Sequence, residues 1–157
     1  LIFIENYPSS EFIEKAKARL IYTRLATYRG PAFDSSGIVD AKNELDRLER
    51  FDPRLAKTLE ANALITRIDE SLGQKMLRTA QWYIKVNNPV AAEYTVRRLL
   101  KKYPQTASAI EALEHLVPEF MPLLPPIIKR SVGDLYVIYQ ELLLGRVITL
   151  VEVEDVE

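Results

Sequence analysis

Gln74, Arg78, Gln81 and Lys85 follow one another at intervals of four, three and four. That spacing lines them along one face of a helix. Guanidinium and ammonium groups held on a rigid helix suit a carboxylate, because charge-assisted hydrogen bonds are shorter and stronger than neutral ones. The chemistry expected of them is recognition of an acidic or C-terminal peptide. In the same register Lys15, Arg19 and Tyr22 form a stripe on an earlier helix, and Arg67 falls in step on a middle one. Stacked as consecutive pairs, such helices would turn all of these positions into one concave groove; the alternative is ordinary solvated helix surface.

A second basic face lies close by. Residues 78–102 hold Arg78, Lys85, Arg97, Arg98, Lys101 and Lys102 against Glu93 alone, a local charge of +5 in a chain of formal net charge −1. Arg97, Arg98, Lys101 and Lys102 fall opposite Val96 and Leu99, as either a wet face or the seat of an acidic partner. The nearly neutral whole lacks the basic excess that phosphate binding requires, so nucleic acid is not an expected partner.

Catalytic and metal chemistry find little support. His115 is the one histidine; Glu111 lies a helical turn before it and Glu114 beside it, and a metal site would need further ligands from elsewhere. An exposed helix histidine is the expectation. A serine nucleophile would have only His115 as an imidazole base, and Ser9, Ser10, Ser35 and Ser36 sit where helix starts need caps. Gly30, Gly37, Gly73, Gly133 and Gly145 form no phosphate-cradling cluster. The many carboxylates, Glu44, Asp46, Glu49, Asp69 and Glu70 among them, mostly fall beside Lys or Arg on outer faces. No cofactor, no metal and no enzymatic activity are expected.

The elements that must position these side chains are helices. The 157 residues are the size of one domain and, at 48% hydrophobic and 27% charged, are apolar enough to build a core. There is no cysteine, which excludes disulfides and thiolate chemistry but leaves the compartment open. Leu1-Ile2-Phe3-Ile4 runs into Glu5-Asn6 without a basic start or cleavage site, unlike a signal peptide. Pro118, Pro122, Pro125 and Pro126 break the one long apolar region, so no membrane span is expected.

The chain also repeats itself. Phe3 to Ser10 parallels Leu99 to Thr106 at an offset of 96, sharing Tyr-Pro, and a looser copy ends at Phe51-Asp52-Pro53. Proline cannot continue one helix yet suits the first turn of the next, so each marks a corner. Ahead of two corners stands one pattern, Ala41, Leu45, Leu48, Pro53 and Ala92, Val96, Leu99, Pro104. Helices are expected over about 10–28, up to Phe51, over about 54–69, over 71–87 and up to Lys102.

The small-large-large-Pro spacing and the preceding aromatic Tyr83 resemble tetratricopeptide repeats, whose period is about 34 residues. Here the prolines stand 45 and 51 apart. The surplus is the long connection Arg29 to Ser36 and roughly one extra helix from Arg54 to Asp69. With that irregular spacing, the segments Ala80-Gln81-Trp82-Tyr83-Ile84-Lys85 and Arg97-Arg98-Leu99-Leu100-Lys101-Lys102-Tyr103-Pro104-Gln105-Thr106 resemble the BamD outer-membrane assembly lipoproteins over residues 1–116. The resemblance implies a non-enzymatic, periplasmic, outer-membrane-associated scaffold that binds partner or unfolded client polypeptides, with a β-barrel assembly complex as partner. A generic repeat adaptor and a structural subunit of a larger assembly are the alternative readings. Tyr83 matches the core aromatic of the repeat, and Trp82 is expected to pack on a neighbouring helix, with an exposed hot spot as the other option.

Three segments result: a tetratricopeptide-type α-solenoid over 1–117, a proline-rich extended connector over 118–126, and an extension over 127–157. In the extension Ile128, Val132, Leu135, Ile138 and Leu142 predict a helix ending at Gly145. Val147, Thr149, Val151 and Val153 alternate with their neighbours as a short strand would, for a partner segment to cover or to add to another sheet.

Overall fold

The computed structural model describes the backbone of residues 2–154 and the side chains of residues 2–145. Every regular element among them is helical, in line with the expected helices but not with the expected terminal strand, since no strand occurs among the described residues. Two compact units divide the chain, Leu1–Ser71 and Leu72–Glu157.

The first unit holds α1 (Ile2–Asn6), α2 (Ile13–Ala26), α3 (Ser36–Phe51), α4 (Pro53–Thr58) and the beginning of α5 (Ala61–Lys85). On α3 the expected triad is the buried face: Ala41, Leu45 and Leu48 are inaccessible, with Ile38 beside them and Ile21 of α2 likewise enclosed. Burying each Leu or Ile side chain is worth about 1.5–3 kcal/mol. At the corner, the Asp52 carboxylate accepts from the backbone N–H of Leu55 at 3.3 Å and Pro53 fills the first turn of α4. Asp69 is not simply solvated surface, because Lys42 of α3 donates to its carboxylate.

The expected break between a helix ending near Asp69 and another starting at Ser71 is absent; α5 runs unbroken for 25 residues. Gly73, inside it, serves packing. A Cβ there would stand 3.1 Å from Thr106 Oγ1 and 3.4 Å from Leu99 Cδ1 and Ser108 Cβ. Only a glycine lets the backbone of α5 approach that corner so closely.

The second unit continues from α5 into α6 (Pro89–Lys102), α7 (Ala107–Glu111), a π-turn (Ala112–Leu116), α8 (Val117–Phe120), a 3-10 turn (Met121–Leu123) and α9 (Pro126–Glu154). The α5–α6 corner is written in three residues. Asn87 takes a left-handed φ of 58°, and the N–H groups of Asn87 and Asn88 close onto the carbonyls of Ile84 and Tyr83 at 2.9 and 2.8 Å, a Schellman stop. The Asn88 side chain then accepts from Ala91 N–H at 3.1 Å, and Pro89 opens α6. Ala92, Val96 and Leu99 are fully buried with Leu113, Leu116 and Phe120.

Residues 117–123 are helical turns rather than the expected extended connector. Three of the four prolines of residues 118–126 sit in a first turn, where no N–H is needed: Pro118 in α8, Pro122 in the 3-10 turn and Pro126 in α9. Leu124, before Pro125, is the residue held extended. Inside a continuous helix the Pro118 ring would collide with the carbonyl four residues earlier. The π-turn before it widens the coil, with Val117 N–H donating to the carbonyl of Ala112, five residues back.

At the C-terminal end the expected Gly145 cap and the Val147–Val153 strand are not formed, since α9 continues through both to Glu154. A lone strand would leave its backbone groups without partners, whereas a helix satisfies them internally. The buried stripe of α9 is also displaced. Val132, Tyr136 and Leu143 are enclosed, while Ile138 and Leu142 are about half exposed. Apolar residues fall on more than one side of α9, Ile138 and Leu142 on one and Val132 and Leu143 on another, so periodicity alone could not choose the face.

Candidate functional site

On the second half of α5, Gln74, Arg78 and Lys85 are exposed and Gln81 is half buried. Leu77 and Ala80, beside the stripe on the same helix, are both enclosed in the core and seat α5 on it. From Gln74 to Lys85 the stripe is about 16 Å long at the helical rise of roughly 1.5 Å per residue. The Gln81 side-chain amide donates to Glu111 Oε1 of α7 at 3.4 Å. Neither Arg78 nor Lys85 has an acidic partner among the described residues.

In the first unit, Lys15 and Arg19 of α2 and Arg67 of α5 are exposed and likewise unpaired among the described residues, and Tyr22 is half exposed. Lys17 and Arg24 of the same α2, off that stripe, are engaged with Asp52 and with Asp40 and Glu44 at 3.8–3.9 Å.

The basic face of α6 divides in two. Arg98, Lys101 and Lys102 are exposed, and the Arg98 guanidinium stands 5.7 Å from the Tyr94 ring centre. Arg97 is engaged inward, its Nε 3.2 Å from Oε1 of Glu93. Glu93 is 2% exposed, and its carboxyl also accepts from the Tyr136 hydroxyl of α9 at 3.4 Å. Burial raises the Glu93 pKa above the ordinary 4.5, with the Arg97 charge and the Tyr136 hydrogen bond acting the other way. Burial and the neighbouring Glu93 together push the Tyr136 phenol well above its ordinary value. Sequence reasoning missed this buried pair. Its available signal was the four-residue spacing of Glu93 and Arg97 and a tyrosine in the apolar run of α9.

Trp82 is not packed away as expected: it is 56% exposed, resting edge-on against Tyr83 with ring centres 5.1 Å apart. His115 is exposed, with Glu114 3.9 Å away. Among the described residues no three metal-ligating side chains come together, and no helix is long and apolar enough to cross a membrane.

The described residues are thus helices joined at proline corners with cations on their outer faces. A family model described as YfiO, outer membrane lipoprotein, matches residues 25–129, and the chain belongs to that family. The family is one of non-enzymatic assembly lipoproteins of the outer membrane. No curated protein matches the chain significantly.

Proposed function

We propose that this chain is a protein-binding scaffold of tetratricopeptide type that works on the periplasmic side in outer membrane protein assembly, holding partner or client polypeptides. The supporting observation is the α5 stripe: Arg78 and Lys85 stand exposed and, among the described residues, without an acidic partner, on a helix seated on the core through Leu77 and Ala80 and flanked by the amides of Gln74 and Gln81. Such a row holds a carboxylate at fixed spacing, with amides to bond a peptide backbone. Lys15, Arg19, Tyr22 and Arg67 offer the same chemistry in the first unit, and Arg98, Lys101 and Lys102 form a secondary basic face. Residues 1–117 carry the binding role, residues 118–126 connect, and residues 127–157 form an added element.

The test is fluorescence anisotropy with a labelled peptide ending in a free carboxylate and the same peptide amidated. Arg78→Glu with Lys85→Glu should weaken the carboxylate peptide at least tenfold, which corresponds to about 1.4 kcal/mol, and the amidated peptide far less. Arg98→Glu with Lys102→Glu, which leaves the Arg97–Glu93 pair intact, should have little effect. Equal losses from both pairs of substitutions would remove the assignment of the α5 stripe.

A further inference from the structure

The second unit carries a groove between α6 and the opening turns of α9, with a volume of about 750 Å³, within the roughly 300–1,000 Å³ of clefts that hold ligands. Its floor is apolar, with Ala91 half buried and Val132 enclosed. On the α6 side stand Val90 and Tyr94, 39% and 54% exposed; on the α9 side stands Ile127, 80% exposed, with Ile128 and Ser131. Exposed apolar side chains scattered singly are ordinary, but these border one hollow. Ser131 and Val132 lie past residue 129, where the family match ends, so the match does not account for the groove as a whole.

Charge indicates what fits it. Val90, Tyr94, Arg97 and Lys101 follow at intervals of four, three and four, one line along α6, and the Arg98 guanidinium leans over the Tyr94 ring at 5.7 Å. The acid on this side of α6, Glu93, is buried and held by Arg97 and Tyr136, so it offers nothing to an incoming cation. Neither Arg98 nor Lys101 has an acidic partner among the described residues. Lys129, Arg130 and Asp134 of α9 are exposed, but that helix lines the groove with Ile127, Ile128, Ser131 and Val132. The rim is therefore cationic along α6 and uncharged along α9. A bilayer surface takes up protruding apolar side chains accompanied by cations; a recessed floor with cations on one wall suits a single segment laid lengthwise. Two helices side by side present such a groove to a third, amphipathic one. From Val90 to Lys101 the line spans about 16 Å at roughly 1.5 Å per residue, room for about three helical turns.

We infer that this groove is a docking site for a short amphipathic helix of a partner protein, its apolar side seated between Tyr94 and Ile127 and its flank carrying acidic residues, three or four apart, that meet Arg98 and Lys101. The inference is independent of the carboxylate site on α5, because it uses none of the same side chains.

The test uses the full chain and a fluorescein-labelled peptide of about five helical turns, built with Leu along one side and Glu on the flanks, beside a version with Lys in place of every Glu. Anisotropy should show saturable binding of the Glu peptide that weakens as salt rises, with the Lys peptide roughly tenfold weaker or more. Arg98→Glu with Lys101→Glu should invert that preference. Ile127→Asp, at a side chain the fold leaves open, should weaken the Glu peptide as strongly, and Arg78→Glu with Lys85→Glu should leave it unchanged. Because the chain has no cysteine, a dansyl group on Ser131→Cys reports occupancy of the groove itself, through a blue shift as the Glu peptide binds. No saturable binding, equal affinity for the two peptides, a dansyl signal that stays still while anisotropy rises, or an equal loss from the α5 substitutions would overturn the docking assignment. So would flotation of the chain with phosphatidylglycerol-containing vesicles that is lost on Ile127→Asp, without peptide binding, which would assign the groove to lipid.

Discussion

Gly73 and Gly133 both lie inside helices, and replacing each by alanine should move stability in opposite directions. Alanine gains about 1 kcal/mol over glycine in a helix interior. At Gly133 nothing stands within 4 Å of the new methyl, so that gain should be realised. At Gly73 the methyl meets Thr106 Oγ1 at 3.1 Å, well inside the roughly 3.5–4.0 Å of comfortable contact. Thr106 cannot turn aside freely: its hydroxyl donates to the Tyr103 carbonyl at 2.7 Å and accepts from Ala109 N–H at 3.2 Å. Overpacking of this kind costs about 1–3 kcal/mol, leaving Gly73→Ala destabilising by about 0–2 kcal/mol. Each kcal/mol separates melting temperatures by about 2–4 °C in a chain of this size, a difference that circular dichroism melts or urea titrations resolve. Thr106→Ala loses a helix cap, about 0.5–2 kcal/mol, but clears the space. In that background Gly73→Ala should become favourable, a non-additive result. If Gly73→Ala stabilises the wild-type chain as much as Gly133→Ala does, the close approach of α5 to the Thr106 corner is not there.

Two further outcomes follow from the second unit. Glu93 has a pKa raised by burial, so its contribution to stability is fully present below the unfolded value and is lost as pH rises through the folded one. The wild-type chain should therefore gain on Glu93→Gln as pH falls from neutrality toward 4.5, the ordinary value; urea midpoints that run parallel across that range would contradict the burial of this carboxyl. Asn88→Ala removes the acceptor for Ala91 N–H and should cost about 0.5–2 kcal/mol, whereas Asn87→Gly, at a φ of 58°, should be neutral or mildly stabilising; the same titrations check both, and equal losses at the two positions would contradict the cap.

The repeat core was legible because its signals are local and strong. Ala41, Leu45 and Leu48, and Ala92, Val96 and Leu99, were recognisable from spacing before a proline stop, and all six are buried. That Gln74, Arg78, Gln81 and Lys85 share one side of a helix was legible for the same reason, since spacing on a helix dictates which side chains line up. What periodicity could not supply was a choice between equals. In α9 two faces are apolar, and the enclosed one is that whose tyrosine reaches Glu93, a tertiary fact. The alternation at Val147–Val153 suits a strand only if a neighbour exists to pair with it. The reason for a glycine inside α5 is likewise tertiary, since the neighbours its missing methyl would meet are Leu99, Thr106 and Ser108, far along the chain.

The Asn87-Asn88-Pro89 corner carries its own halt and its own restart within three consecutive positions. Punctuation so compact asks nothing of the stretch on either side except that each begin and end in phase. The length of the segment between two corners is therefore set independently of the corners themselves, and Pro53 and Pro104, 51 residues apart, each follow the same buried triad.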